Sequence, residues 1–359
     1  MKVIAAVTVP LLAVSACALS HAAAAPDPVK PSRTATSATH RQPSSPVVPA
    51  KVRTSKPSPS PSRAPTKSHA ATRHRTAPNL TGYPRVNRPC KGQIPEPFAG
   101  IATGSNFGAK VAAFRRSTGA HVRMVEFYNR FPGTFQWRAA QQIVSMRALP
   151  LIQIDPRVSM AKLAAGAYDS SIRSYARQVR AFHCHVVLSL GHEMNGWWYP
   201  WGLPDTTPRA FKAAWRHFFG IFAALHVTNV IRSWDPSHAH VRTRTGKTAW
   251  AASMWYPGNR YVDWIGLDGY FLPGQSFREV LGFQLRNIRR LTHKPIYLAE
   301  TGVGDGARAS RQIAALFAGI WRWHLAGLVW FDQDRRAPWS LGGKPSKDAA
   351  FRRAVARFP

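Results

Sequence analysis

The sequence has few acidic residues, few cysteines and, over its first part, no aromatic residues. Its 49 Lys and Arg outnumber 16 Asp and Glu, and three cysteines are too few for a disulfide-built mini-domain or a four-cysteine zinc site. All 18 Phe, 13 Trp and 9 Tyr lie at or after Tyr83, so the preceding residues cannot build a hydrophobic core. No apolar run of about 18 residues follows the N terminus, which excludes a multi-pass membrane protein.

Residues 1–25 have the pattern of a secretory signal peptide: Lys2, an apolar run, and a string of small residues. The residues before Cys17 resemble a bacterial lipobox, so both free secretion and a lipid anchor at the cell surface are open, and either predicts an extracellular location. If Cys17 leaves with the signal, Cys90 and Cys184 either pair in an oxidising compartment or are two unrelated small apolar residues.

Residues 26–80 form a predicted disordered linker. They hold 11 Pro, 16 Ser and Thr, and 10 Lys and Arg against a single acid, Asp27, a composition typical of an extended chain. The linker either grips an anionic cell-envelope polymer or serves as a spacer. Residues 81–359 still carry a surplus of 23 cations, which suggests an anionic surface or an acid-bearing polymer nearby. We expect no nucleic-acid partner, because zinc-finger spacing, an RNA-recognition signature and a heptad-linked basic helix are all missing.

In residues 81–359, short apolar runs alternate with helical patterns, which predicts parallel strands joined by helical crossovers. Eight such units in about 260 residues match one α/β domain, a (β/α)8 barrel, which we expect to be a monomer. Asp169 is the predicted N-cap of a helix that runs to Phe182, and Pro208 opens a helix through Leu225. The predicted strands are 98–103, 121–128, 149–154, 185–190, 229–234, 262–267, 295–299 and 327–331.

Two of the five glutamates in this domain follow strands directly, at the end where such barrels place their chemistry. Glu193 follows the fourth strand and Glu300 the seventh. Retaining hydrolysis of a glycosidic bond needs an acid and a nucleophilic carboxylate about 5 to 5.5 Å apart, which strands across a barrel mouth can supply. For Glu126 and Glu279, we expect instead ordinary carboxylates bonded to backbone or arginine.

Polar and aromatic residues surround these two glutamates. The four rings that follow Glu193 either stack on sugar or cap the barrel rim; they are Trp197, Trp198, Tyr199 and Trp201. His192 either bonds a sugar or the acid, or is an ordinary buried histidine. Asn195 and Tyr270 are candidates to orient a carboxylate by hydrogen bonding, and we count both among the substrate-binding residues.

The residues 191–202, GHEMNGWWYPWG, closely resemble the signature of glycoside hydrolase family 26, whose best-known members are β-1,4-mannanases. Further matches follow in order: GAYD at 166–169, WYPG at 255–258, YVDWIGLDGY at 261–270 and PIYLAETG at 295–302. The resemblance covers about Phe98 to Trp339.

The resemblance implies that Glu193 is the acid/base and Glu300 the nucleophile of a retaining mechanism that requires no metal or organic cofactor. It implies that the subsite of the attacked sugar is lined by His192, Trp198, Tyr270 and Trp330.

Two departures from the family pattern concern the substrate. Ser189 stands where many mannanases of the family have arginine. The sequence Ser-Trp-Asp at 233–235, after the fifth strand, is not the one that family members most often have there. The family also includes β-1,3/1,4-glucanases and β-1,3-xylanases, so β-mannan is the first expected substrate and these polymers the second, with acidic decorations a further possibility. The competing classes are a carbohydrate-binding protein on an idle barrel and an envelope adhesion factor driven by the basic linker.

Overall fold

The computed structural model describes residues 94, 96–239, 241–242, 248–249, 251–335 and 337–359, with only the backbone at 241–242 and 248–249. The predicted signal peptide and linker lie outside the described residues. None of the described helices is both long and apolar enough to cross a membrane.

Eight parallel strands close into a barrel, which confirms the predicted fold. Each strand pairs with the next along the chain, and the eighth pairs with both the seventh and the first. The strands are β1 (Phe98–Ala102), β2 (Val122–Phe131), β3 (Leu149–Pro156), β4 (Val186–Leu190), β5 (Val230–Trp234), β6 (Trp264–Gly266), β7 (Ile296–Val303) and β8 (Gly327–Phe331). Short strands at Gly269–Phe271, Val241–Arg242, Thr248–Ala249, Asp334–Arg335 and Ala337–Pro338 decorate the loops.

The helices follow the strands and surround the barrel. They are α1 (Phe107–Thr118), α2 (Trp137–Ser145), α3 (Met160–Ala164), α4 (Asp169–Phe182), α5 (Pro208–Ala224), α6 (Phe277–Val280), α7 (Gly282–Leu291), α8 (Ala309–Arg322) and α9 (Pro345–Val355). Pro208 opens α5 as predicted, and the Thr207 hydroxyl accepts a hydrogen bond from the Ala210 amide.

The predicted N-cap of α4 is wrong by one residue. Tyr168 occupies the cap, and Asp169 is the first helical residue. The Asp169 carboxylate bonds His217 Nε2 of α5 at 2.5 Å and Arg173 of α4 at 3.3 Å. It therefore links the two helices and also forms an ion pair within its own helix. A carboxylate in the first turn still interacts favourably with the helix dipole.

Apolar side chains pack in two layers. The larger layer lies between the strands and the helices and includes Leu188, Trp215 and Ile320. The smaller layer fills the barrel interior, where Phe98 packs against Trp264 and Tyr297 at ring-centroid distances of 6.3 and 5.7 Å. Because successive residues of a strand face opposite layers, a polar side chain on the inner face points into the barrel.

Cys184 is disulfide-bonded in the structure. Cys90, its candidate partner in the sequence, lies outside the described residues.

Candidate active site

Glu300 is a buried carboxylate held by two tyrosines. The Tyr128 hydroxyl donates to Glu300 Oε1 at 2.6 Å, and the Tyr270 hydroxyl donates to Oε2 at 2.5 Å. Burial raises the pKa of Glu300, while the hydrogen bonds from Tyr128 and Tyr270 act in the opposite direction. Both oxygens are therefore fixed in orientation, as a nucleophile requires.

An irregularity in β7 explains how Glu300 reaches the interior. The pairing of β7 with β8 shifts register between Leu298 and Thr301. Such irregularities often re-aim a side chain beside an active site. The sequence predicts a strand that ends at Ala299, whereas β7 continues to Val303 and contains Glu300.

Glu126 is not the backbone-bound or arginine-bound carboxylate that we expected. It is fully buried on β2, and neither carboxyl oxygen has a hydrogen-bond partner of standard geometry among the described residues. Burial, followed by the nearby charge of Glu300, raises the pKa of Glu126 well above its ordinary value. Burial and the charge of Glu300 therefore both favour the protonated form of Glu126. Glu279 does match the expectation, since Ser276 N–H donates to its Oε2 at 2.7 Å in a capping box.

We expect Glu126→Gln to change kcat by less than about threefold at neutral pH, because an amide keeps both the size and the neutral state of the protonated acid. The difference should grow as pH rises. Between the ordinary pKa of a carboxyl and the raised pKa of Glu126, the wild type steadily loses stability. As pH passes the raised pKa, the wild type gains a second negative charge beside Glu300 and loses activity, whereas the Gln variant does neither. Profiles of kcat/KM and of melting temperature against pH check this, and alkaline limbs that coincide in the two proteins would contradict it.

Glu193 lies in the loop after β4 in a strained backbone conformation, with φ of 52°. Its amide donates to the Asp235 carbonyl at 2.7 Å, and its Oε2 accepts from Trp198 Nε1 at 2.7 Å. The preceding turn also requires Gly191, whose φ is 64° and where a Cβ would meet the Trp201 ring at 2.9 Å. The backbone hydrogen bond to Asp235 and the side-chain hydrogen bond from Trp198 thus together fix the position of Glu193.

Two of the four rings of this loop form the wall behind His192. Tyr199 stacks on Trp201 at 4.4 Å, and the Tyr199 hydroxyl lies 3.2 Å from His192 Nε2. The His192 Nδ1 faces Asp155 at 3.7 Å. Burial raises the pKa of Asp155 to about 7, against the opposing charge of Arg157. His192, Tyr199 and Trp201 are thus buried together.

Trp197 and Trp198 are the loop rings that remain accessible. Trp197 is 44% exposed and Trp198 is half-buried, and the two rings meet edge to face at 6.1 Å. They offer apolar faces beside the Glu193 carboxylate.

Asn195 joins two loops. Its Oδ1 accepts from the Ser237 amide at 2.8 Å, and its Nδ2 donates to the Ser237 and Ala239 carbonyls at 3.0 and 3.1 Å. Since the side chain is fully buried, we interpret Asn195 as a residue that positions the loops after β4 and β5.

The two departures from the family pattern meet in the barrel interior. The Asp235 carboxylate accepts hydrogen bonds from the Ser233 hydroxyl, from Gln153 Nε2 at 3.1 Å and from the Gly266 amide at 3.0 Å. Ser189 lies beside it and helps to lower the pKa of Asp235, which burial raises to about 6. Hydroxyl and amide donors thus surround a carboxylate whose own backbone carbonyl holds Glu193.

Asp268 lies at the site, although the sequence offers no separate reason to select it beyond its place in the matched run 261–270. It follows β6, is fully buried, and its carboxyl oxygens have no hydrogen-bond partner of standard geometry among the described residues. Burial, and then the charges of Glu300 and Glu193, raise the pKa of Asp268 well above its ordinary value. The same carboxyl group is therefore within electrostatic reach of both candidate catalytic glutamates.

Trp330 is not brought to the mouth with the other implied subsite residues. It is fully buried on the outer face of β8, packs against Phe351 of α9 at 5.3 Å, and donates from Nε1 to the Trp339 carbonyl at 3.0 Å. The next residue, Phe331, faces the interior and meets Tyr270 at 5.7 Å. Trp339 packs against Tyr270 at 4.9 Å, so this tryptophan, which the sequence analysis did not select, lies beside the Glu300 partner.

Within the described ranges, no group of three or more His, Cys, Asp and Glu residues could hold a metal ion.

The barrel brings Glu193, in the loop after β4, and Glu300, within β7, close to the same buried Asp268, and two carboxylates in one site are what a glycoside hydrolase needs. The family model of glycosyl hydrolase family 26 matches residues 111–316. The chain belongs to this family, which confirms the resemblance seen in its sequence.

Individual relatives differ in their named activities. Endoglucanase H from Acetivibrio thermocellus is 25% identical over 263 residues, which cover 68% of this chain and 29% of that protein. The β-1,3-xylanase TXYA from a Vibrio species is 26% identical over 140 residues, which cover 39% of this chain and 28% of that protein. The chain thus spans less than a third of either relative.

A solved family 26 β-mannanase from Bacteroides ovatus has a TM-score of 0.54 and 17% identity, and the match covers 73% of this chain and 88% of that chain. This likeness shows a shared fold.

Proposed function

We propose that the protein hydrolyses β-1,4-mannosidic bonds with retention of configuration, with Glu300 as the nucleophile and Glu193 as the acid/base. The observation that supports this best is the placement of the two carboxylates, one in the loop after β4 and the other within β7. Tyrosine hydroxyls hold both oxygens of Glu300, and Oε2 of Glu193 accepts a hydrogen bond from Trp198 Nε1. A nucleophile must be oriented and an acid must be able to exchange its proton.

In the first step, a Glu300 oxygen attacks the anomeric carbon and forms an ester bond as the bond to the leaving sugar oxygen breaks. Glu193 gives its proton to that oxygen. Tyr128 and Tyr270 hold the attacking carboxylate, and the raised pKa of Glu126 disfavours a second negative charge next to it.

In the second step, Glu193 takes a proton from water, which attacks the anomeric carbon from the face that the leaving group vacated. The ester bond to Glu300 breaks, and the sugar leaves with its original configuration. The protein's residues alone move the protons in both steps.

The second candidate substrate is β-1,3/1,4-glucan, with β-1,3-xylan after it. Support for a glucan comes from endoglucanase H, which aligns with 68% of the chain, and from the buried Ser189 beside Asp235, in place of the arginine of many mannanases. We place the activity outside the cell and in a monomer, as the N-terminal sequence and the single barrel predict.

The test is release of reducing sugar by the purified full chain from mannan, galactomannan, glucomannan, barley β-glucan, β-1,3-xylan and a uronate-bearing polymer. Glu300→Ala serves as the blank. We expect release from the mannans. Release only from another polymer would retain the mechanism and replace the substrate, while a folded protein that releases sugar from none would favour a carbohydrate-binding role.

A further inference from the structure

Cations concentrate where four neighbouring helices end, on the side of the barrel opposite the active site. The last turns of α1, α7, α8 and α9 all contain arginine. We call the following nine residues the basic face: Arg115, Arg116, Arg289, Arg290, Lys294, Arg322, Arg352, Arg353 and Arg357. In a (β/α)8 barrel, the helices end at the face where the strands begin, and chemistry occupies the other face.

Hydrogen bonds and ring contacts join these helix ends into one surface. Arg352 of α9 donates to the Ser117 carbonyl of α1 at 2.6 Å. Arg289 of α7 donates to the His324 carbonyl, just after α8, at 3.4 Å. Phe358, which follows α9, packs against Trp321 of α8 at 5.9 Å. The basic face is therefore continuous across α7, α8, α9 and α1.

Acidic residues are nearly absent from this end of the barrel. Fifteen of the sixteen acids lie after Thr81, and of these only Glu96 and Asp263 lie in segments that lead into the start of a strand. Asp263 accepts from Arg232 Nε at 2.8 Å and is also near enough to Lys294 of the basic face for its charge to oppose the lowering of the Lys294 pKa by burial. Among the described residues, no member of the basic face has a carboxylate oxygen within 4.0 Å.

Helix capping explains only part of this charge. A cation in a last turn stabilises a helix by about 0.3 to 1 kcal/mol, yet α2 and α5 end without one. Arg115, Arg289 and Arg352 do bond backbone carbonyls. Five other arginines are exposed and have no such bond to another element within the described ranges: Arg116, Arg290, Arg322, Arg353 and Arg357.

We propose that the basic face binds a phosphate-bearing polyanion of the cell envelope and holds the enzyme with its active-site mouth directed away from that polymer. Eight of the nine cations are arginines, whose planar guanidinium matches phosphate oxygens in pairs. Their spread over four helix ends suits a chain of phosphates better than a single anion. An acidic substrate is not the partner, since it would approach the opposite face.

The composition of the linker fits the same class of partner. Residues 26–80 carry 10 cations and one acid, so their sequence also favours an anionic polymer.

The experiment compares two full-chain variants in which four exposed arginines become glutamine. The face variant changes Arg116, Arg290, Arg322 and Arg353. The control changes four exposed arginines at helix starts on the mouth side, so that both variants lose the same net charge and keep the linker; they are Arg138, Arg209, Arg278 and Arg308. Binding to inorganic polyphosphate is measured over a range of salt, with melting temperature and activity on a soluble oligosaccharide as checks.

We expect the face variant to bind polyphosphate about tenfold more weakly or worse, with a slope of log Kd against log salt reduced by roughly 3. The control should change Kd less than about threefold, since its arginines face away from the polymer. Equal weakening in both variants, or none in the face variant, would overturn the proposal.

Two further arms test the partner and the fold. Tighter binding to phosphatidylglycerol vesicles or duplex DNA than to polyphosphate, at equal phosphate concentration, would also overturn it. If the four changes lower the melting temperature, the pairs Arg116 with Arg353 and Arg290 with Arg322 should each show about half of the loss on a logarithmic scale.

Discussion

Glu300→Ala should lower kcat on the preferred polysaccharide by about four orders of magnitude or more, because the covalent intermediate can no longer form. The fold should survive, since Tyr128 and Tyr270 lose an acceptor at a site that water can enter from the mouth. Steady-state rates and melting temperature check both statements.

The space that the carboxylate vacates allows a sharper test. A small anion such as azide should enter it in the Ala variant and attack the anomeric carbon, so that an activated substrate yields a glycosyl azide of inverted configuration. Glu279→Ala is the matched control, because it removes a glutamate that caps α6 and lies outside the site. Wild-type rates in Glu300→Ala would exclude its role as nucleophile.

Glu193→Ala should slow hydrolysis of unactivated polysaccharide by about 10² to 10⁴-fold, the usual value of a positioned acid. With an aryl glycoside whose leaving phenol needs no protonation, formation of the glycosyl-enzyme should be nearly normal. Slow deglycosylation should then appear as a burst of phenol, since the base that activates water is also lost.

The test of the acid role is the ratio between the activity that Glu193→Ala loses on polysaccharide and the activity that it loses on the aryl glycoside. Trp198→Phe is the control, because it removes the indole donor to Glu193 and keeps the carboxyl. It should give a smaller loss that depends less on the leaving group. If Glu193→Ala loses equal activity on both kinds of substrate, the residue does not act as the acid.

The strand pattern was enough to predict the barrel and to bring Glu193 and Glu300 to one face. Each follows an apolar run, and a (β/α)8 fold collects such positions at one end. The alternation of strand residues also decides which side chains reach the interior, but a shift in register changes that pattern locally. Glu300 reaches the interior at such a shift, which the composition of β7 does not disclose.

Glu126 and Trp330 show what local sequence does not contain. The pKa of Glu126 is raised because β2 and β7 bury its side chain beside Glu300, and neither strand alone carries that information. Trp330 carries the residue type expected of a sugar platform, yet it lies on the outer face of β8, where α9 covers it. The aromatic rings that pack against Tyr270 are instead Trp339 and Phe331.

The three hydrogen bonds of Asn195 constrain how this active site can be re-engineered or diversified. They fasten the loop that carries Glu193 to backbone more than forty residues later, with sequence separations of 42 and 44. A loop taken from a relative and grafted after β5 alone would not match the loop after β4, to which Asn195 binds it. The mismatch would displace Glu193. To transfer substrate specificity between family members, the loops after β4 and β5 should therefore be replaced together.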